Sequence, residues 1–107
     1  IISLNNKKVI AFAGIAHPDN FFKALGQHSL NVIETIPFPD HFKYKRNDID
    51  KILLKCKEQS AIPVTTYKDY VKIPNDLKKS FSALDIQIIF DKSNFFNFIN
   101  KKINLYV

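Results

Sequence analysis

Four short apolar runs, each followed by a segment of helical periodicity, constrain the fold of this chain more than any other feature. The apolar runs are Lys7–Ala13, Leu30–Ile36, Ala61–Val64 and Leu84–Phe90. The segments that follow them are Asp19–Gln27, Asp48–Gln59, Tyr67–Lys72 and a helix that opens at Ser93 or Asn94. Strands that alternate with helices are typical of parallel sheets with right-handed crossovers. We therefore predict an α/β fold, a small three-layer domain with a mostly parallel sheet of about four strands and flanking helices.

The length of 107 residues favours a single domain, 1–107. Because the chain begins at Ile1 and contains no methionine, we expect a fragment, a processed product or an excised domain, with residues 1–6 as a linker remnant. The single cysteine, Cys56, lies in a helical run, where we expect a buried structural thiol in a protein of a reducing, cytosolic compartment. No apolar stretch is long enough to predict a transmembrane helix.

The basic charge of the chain does not by itself indicate a nucleic-acid surface. The formal net charge is +6, but the lysines are dispersed and Arg46 is the only arginine. Proteins that read nucleic acids commonly use arginine for bidentate contacts with bases and phosphates. We therefore expect no nucleic-acid partner and interpret most of the lysines as solvated surface.

Three polar segments follow predicted strands and are expected to meet at one edge of the sheet. They are Gly14–Asn20, Phe38–Tyr44 and Thr65–Asp69. Ligands of open α/β sheets bind outside the carboxyl ends of the strands, so this rim is the expected site.

Asp40 and His41 are the candidate catalytic residues of this rim. Histidine is the side chain whose ordinary pKa lies nearest neutral pH, and a neighbouring carboxylate can orient it. The alternative is a turn in which the Asp40 carboxylate serves as a cap.

The other candidates, proximal to substrate or phosphate, are His17, Thr66 and Lys68. Each has a structural alternative: His17 could only shape the turn before Pro18, Thr66 could cap the next helix, and Lys68 could form a surface pair with Asp69. Lys68 near a helix N-terminus could instead reach a phosphate.

Several common catalytic motifs are missing from the sequence. There is no G-x-x-x-x-G-K-[ST] loop, no G-x-G-x-x-G, no G-x-S-x-G and no H-E-x-x-H. With Gly14 and Gly26 as its only glycines, the chain cannot build a phosphate cradle of the usual kind. We do not expect a complete enzyme or a metal site in these residues.

Three segments resemble a known family when they are taken together. Val9–Pro18 with Phe21-Phe22 resembles its "AFAGIG-x-P-x-x-FF" strand and turn, Phe38–Tyr44 resembles its "F-x-D-H-x-x-[FY]" loop, and Pro63–Asp69 resembles its "P-V-T-T-E-K-D" turn. The family is tetraacyldisaccharide 4'-kinase, the lipid A 4'-kinase of Gram-negative bacteria. The order and spacing of the segments also match, from about Lys8 to the C-terminus.

The resemblance implies the C-terminal portion of a kinase that transfers the γ-phosphoryl of ATP, with Mg²⁺, to the 4'-hydroxyl of a lipid A disaccharide precursor. The phosphate loop, the metal-binding acids and the membrane-associating element belong to an N-terminal half of the family. That half is then a partner of this domain, at the cytoplasmic face of the inner membrane. In the family the histidine of the D-H loop faces the cleft and pairs with an aspartate of the N-terminal half, a role that carries over to His41, with Asp40 beside it.

Two positions depart from the family pattern: Tyr67 stands where the family has Glu, and Ala16 stands where it has Gly. The fragment alone is not expected to bind ATP or Mg²⁺, nor to be active. The alternative is a non-catalytic binding domain, or the remnant of a split gene with no activity alone.

Overall fold

The computed structural model describes residues 7–27 and 30–84, and its elements alternate as the sequence predicts. Their bounds are β1 (Lys8–Ala13), α1 (Pro18–Gln27), β2 (Asn31–Pro37), α2 (Arg46–Gln59), β3 (Ala61–Thr66), α3 (Tyr67–Tyr70), a 3₁₀ turn (Lys78–Ser80) and β4 (Ser82–Leu84). All pairings among the described strands are parallel, in the order β2-β1-β3-β4. The predicted α/β class and parallel sheet are therefore confirmed.

The strand order places the carboxyl ends of β1 and β3 side by side. β1 pairs with β2 on one side and with β3 on the other, so the direction of the winding changes between β1 and β3. This is the topological switch point at which open α/β sheets form their ligand crevice. The loops that follow Ala13 and Thr66 consequently meet there.

Strand β1 is the centre of the core because its side chains alternate between two buried faces. Val9, Ala11 and Ala13 pack with buried residues of α1, whereas Ile10 and Phe12 pack with buried residues of α2. All five are fully buried. A strand covered on both faces has a continuous apolar sequence, and this explains the V-I-A-F-A run and the three-layer arrangement.

Helix α2 begins at Arg46, two residues before the predicted start at Asp48. Its N-cap position is Lys45. The Asp48 carboxylate instead reaches back from the first turn, where its Oδ2 accepts a hydrogen bond of 2.9 Å from the Lys45 amide. An acidic side chain can satisfy a free amide from the third helical position as well as from the cap, which is why the predicted boundary was wrong.

Cys56 has the environment expected of it. The Cys56 side chain is buried in the α2 face of the core, and burial, with a smaller effect from Glu34, raises the pKa of its thiol to about 11. Pro63 lies within β3, and the pairing of β3 with β4 starts one residue later at Val64, so the missing amide lies outside that ladder.

Strand β4 begins at Ser82, two residues earlier than predicted. The rest of the predicted strand to Phe90, the C-terminal helix from Ser93 or Asn94 and the linker remnant at residues 1–6 lie outside the described residues.

Candidate functional site

The loop 38–44 is fastened to the end of β1 by main-chain hydrogen bonds. The Phe38 amide donates to the Ala13 carbonyl over 2.9 Å, and the His41 amide donates to the Gly14 carbonyl over 3.2 Å. Within the loop, the Phe42 amide donates to the Pro39 carbonyl over 3.0 Å. The loop 38–44 and the segment that follows β1 thus form one rim, as the strand order requires.

The Asp69 carboxylate joins all three segments of the rim. It is fully buried, and its Oδ1 accepts hydrogen bonds from the Gly14 amide at 2.9 Å and the Tyr44 hydroxyl at 2.8 Å. Its Oδ2 accepts from the Thr66 hydroxyl at 2.6 Å. A surface pair between Lys68 and Asp69 is therefore excluded, because the carboxylate points into the domain, where burial requires hydrogen-bond partners.

Thr66 caps the next helix, which the sequence analysis gave as the alternative to a role near substrate or phosphate. It is the N-cap residue of α3, and its Oγ1 accepts from the Asp69 amide at 3.2 Å. The hydroxyl is buried and already engaged in both directions, as acceptor and donor. The spacing Thr-x-x-Asp is that of a capping box, so the sequence did contain a signal for the Asp69 position.

Gly14 is required by the close approach of the loop. A Cβ at this position would lie 3.0 Å from the Pro39 carbonyl oxygen, 3.1 Å from the Phe42 Cβ and 3.3 Å from Asp69 Oδ1. Backbone and carboxylate can meet here only because the residue has no side chain.

Tyr44 connects the buried carboxylate to an aromatic cluster. Its ring lies edge-on to Phe12, Phe38 and Phe42, with centroid separations of 5.8, 5.2 and 5.1 Å. Burial and the hydrogen bond to Asp69 hold the pKa of the Tyr44 hydroxyl well above its ordinary range. Tyr44 is therefore a neutral hydrogen-bond donor that secures the loop, a role that the sequence interpretation missed.

His41 has the opposite character, with a fixed backbone and an open side chain. Its φ is 60°, in the left-handed region, and its side chain is 88% exposed. Nε2 lies 3.7 Å from Asp40 Oδ2, beyond hydrogen-bonding distance. The backbone of His41 is therefore fixed, while its imidazole is open to the outside of the described residues.

The remaining sequence candidates lie apart from His41. His17 and Lys68 are exposed, and the His17 carbonyl accepts from the Asn20 amide at 3.2 Å. Within residues 7–27 and 30–84, neither side chain forms a hydrogen bond or ion pair with His41 or Asp40.

Metal ions and nucleotide phosphates are commonly held by acidic side chains and by free turn amides. No group of three or more His, Cys, Asp or Glu side chains in this part of the chain could hold a metal ion. The Gly14 amide, at the position from which a nucleotide-binding turn faces phosphate, donates to Asp69 instead. This amide is therefore satisfied by a carboxylate of the chain itself.

None of the helices within the described ranges has the length and apolar character needed to cross a bilayer.

The chain matches one known protein family over nearly its whole length. The family model described as tetraacyldisaccharide-1-P 4'-kinase matches residues 2–104. The chain belongs to this family. No solved structure matches it.

The curated relatives in this kinase family are longer proteins. The tetraacyldisaccharide 4'-kinase of Rhodospirillum rubrum is 38% identical over 89 residues, covering 83% of this chain and 27% of the relative. That of Rickettsia rickettsii is 37% identical over 101 residues, covering 91% and 31%. That of Paramagnetospirillum magneticum is 36% identical over 88 residues, covering 82% and 27%. The chain thus spans less than a third of the length of these kinases.

Proposed function

We propose that this chain is the C-terminal part of a lipid A 4'-kinase and supplies one wall of its active site. Membership of the tetraacyldisaccharide-1-P 4'-kinase family over residues 2–104 supports the reaction class. The remaining part of the kinase would bind ATP and Mg²⁺. Among the described residues, no group of three or more His, Cys, Asp or Glu side chains could hold a metal ion. The acceptor would be the lipid A disaccharide precursor, bound at the cytoplasmic face of the inner membrane.

His41 is the proposed catalytic residue, and the observation that carries this proposal is its combination of fixed backbone and exposed imidazole. Its amide is bound to Gly14, while its side chain is 88% exposed at the carboxyl edge of the sheet. A side chain that served only packing would be buried, and one that served only solubility would need no such anchorage. The imidazole is placed to accept or orient the proton of a sugar hydroxyl brought to the rim.

Asp40 would support His41 once the active site is assembled. The present separation of 3.7 Å is within range of an electrostatic interaction and needs a small side-chain rotation to become a hydrogen bond. Catalytic hydrogen bonds often tighten only in the complex with substrate. The carboxylate would then stabilise the imidazolium that forms on proton transfer.

The test is steady-state kinetics of the intact kinase that contains this chain, with His41→Ala and His41→Asn. We expect each to lower kcat by on the order of 10²–10⁴, the usual effect of losing a general acid or base. Asparagine tolerates left-handed backbone, so His41→Asn separates loss of the imidazole from distortion of the loop. Lys23→Ala, an exposed change on α1, is the control and should leave kcat unchanged.

An unchanged kcat in His41→Asn would contradict the catalytic role of His41.

The upstream coding sequence gives a separate test of the proposed assembly. An in-frame phosphate-loop segment before Ile1 supports a kinase, whereas a stop codon there supports the remnant of a split gene.

A further inference from the structure

The backbone of His41 lies in a conformation that is uncommon for residues other than glycine. Its φ is 60°, in the left-handed region. A residue keeps such a conformation only where the surrounding contacts hold it there. The His41 amide donates to the Gly14 carbonyl over 3.2 Å, and the amide of the next residue, Phe42, donates to the Pro39 carbonyl over 3.0 Å. The turn at His41 therefore depends on the position of the Gly14 peptide and on the course of the loop that follows.

The Asp69 carboxylate is bound to both of these supports through one oxygen atom. Its Oδ1 accepts from the Gly14 amide over 2.9 Å, and Gly14 is the residue to which the His41 amide is anchored. The same Oδ1 accepts from the Tyr44 hydroxyl over 2.8 Å. The Tyr44 ring lies edge-on to Phe42 at a centroid separation of 5.1 Å, and Phe42 follows His41 directly. A change at Asp69 would therefore reach His41 from two sides.

Asp69 is itself fixed in orientation and closed to solvent. Its Oδ2 accepts from the Thr66 hydroxyl over 2.6 Å, and its amide donates to the Thr66 Oγ1 over 3.2 Å. The residue is fully buried in the domain. Asp69 can therefore influence a reaction at the rim only through the groups that it binds.

We propose that Asp69 is a positioning residue for His41. It holds the Gly14 peptide and the Tyr44 ring so that the loop keeps the left-handed turn that presents the imidazole at the carboxyl edge of the sheet. The inference rests on the proposed catalytic role of His41 and adds how the imidazole is kept in place. A misplacement of about 1 Å in an active site can lower a rate on the order of 10²-fold, so a residue that touches no substrate can still affect kcat.

Two substitutions at Asp69 separate the hydrogen bonds from the charge. Asp69→Asn keeps an oxygen acceptor for Gly14 and Tyr44 and can direct its amide group to the Thr66 hydroxyl, whereas Asp69→Leu has the same branching and no acceptor. In the intact kinase that contains this chain, we expect Asp69→Leu to lower kcat on the order of 10²-fold and to leave KM within about twofold, because substrate binding is not the step affected. Asp69→Asn should restore most of kcat.

A matched pair of variants that retain Asp69 separates positioning from stability. Tyr44→Phe removes the bond from Asp69 to the loop. Thr65→Val removes another buried hydroxyl bond at the same end of the sheet, the 2.8 Å bond from Thr65 to the Phe12 carbonyl, and leaves the loop bonds in place. At a temperature where circular dichroism shows both variants folded, we expect Tyr44→Phe to lower kcat about tenfold and Thr65→Val to leave it unchanged. Equal losses of kcat in the pair would overturn the inference.

The turn itself is measured by NMR on the whole 107-residue chain. At a φ of 60° the amide and α protons of a residue are eclipsed, so the nuclear Overhauser effect between them is strongest. We expect a strong effect at His41 in the unaltered chain and in Thr65→Val, and a weaker one in Tyr44→Phe. An unchanged effect in Tyr44→Phe would overturn the inference. A weakened effect with an unchanged kcat would support the hold of Asp69 on His41 and contradict the proposed catalytic role of His41.

Discussion

Asp69 and His41 lie at the same end of the sheet and belong to segments of the same family resemblance, yet their environments are opposite. Asp69 is fully buried and accepts three hydrogen bonds, from an amide, a phenol and an alcohol. His41 is 88% exposed and is fixed only through its backbone. The comparison shows that one motif can contain both an exposed polar side chain and the buried groups that hold its loop in place.

The largest expected effect is that of Asp69→Ala on stability. It would leave the buried donors of Gly14, Tyr44 and Thr66 without their acceptor. We expect a loss of roughly 3–5 kcal/mol in the free energy of unfolding, because unsatisfied buried donors are costly. Urea denaturation followed by circular dichroism measures it. Asp50→Ala, an exposed change on α2, is the control. An equal loss of unfolding free energy in Asp50→Ala would contradict the view that the buried position of Asp69 makes its carboxylate important for stability.

The two glycines provide a matched pair for the close approach at the rim. Gly14→Ala forces a Cβ to within 3.0 Å of the Pro39 carbonyl oxygen, and we expect it to cost about 1–3 kcal/mol by overpacking. Gly26→Ala, in α1, meets no atom within 4 Å and should be neutral or stabilising by up to about 1 kcal/mol. Thermal denaturation of both variants gives the difference. Similar melting temperatures would contradict the tight contact between Gly14 and the loop.

Tyr44→Phe isolates one bond of the buried network while it keeps the aromatic ring. We expect a loss of about 1–2 kcal/mol at neutral pH, the cost of one buried hydrogen bond to a carboxylate. The pKa of Tyr44 is raised in the folded state, so its hydroxyl contributes stability that is present below pH 10 and lost as pH rises further. Urea midpoints between pH 7 and pH 11 should fall less steeply in Tyr44→Phe. Cys56, with a pKa of about 11, contributes to the alkaline loss in both proteins and cancels in the comparison.

The smallest expected effect is that of an exposed ion pair between α2 and β2. Lys55 Nζ lies 2.5 Å from Glu34 Oε2, and both side chains are more than a third exposed. A double-mutant cycle with Lys55→Ala and Glu34→Ala should give a coupling of about 0.2–1 kcal/mol, reduced by salt. A coupling as large as the loss in Asp69→Ala would show that burial does not govern polar interactions in this domain.

Local patterns predicted most of the fold. The continuous apolar run of β1 indicated a strand covered on both faces, and the Thr66 position indicated the start of α3. The start of α2 was wrong because Asp48 acts on the Lys45 amide from within the helix. Whether Asp48 acts as the N-cap or from the first turn of the helix depends on side-chain geometry, which residue type alone does not specify.

The candidate site was predicted only in part. The sequence placed Asp40, His41, Thr66 and Asp69 on one edge, because the carboxyl ends of parallel strands lie together. It did not distinguish the buried carboxylate from the exposed imidazole. The partners of Asp69 include Gly14, 55 positions away, and Tyr44, 25 positions away.

The sequence by itself determined the alternation of strands and helices, the fully buried central strand and the family resemblance. These follow from residue types at short spacing, where hydrophobic periodicity and backbone preference act. Only the tertiary structure decided that Asp69 faces inward and that His41 faces outward. The physical reason for these two orientations is that burial and hydrogen-bond satisfaction depend on groups distant in the chain. These groups meet only when β1 and β3 lie side by side.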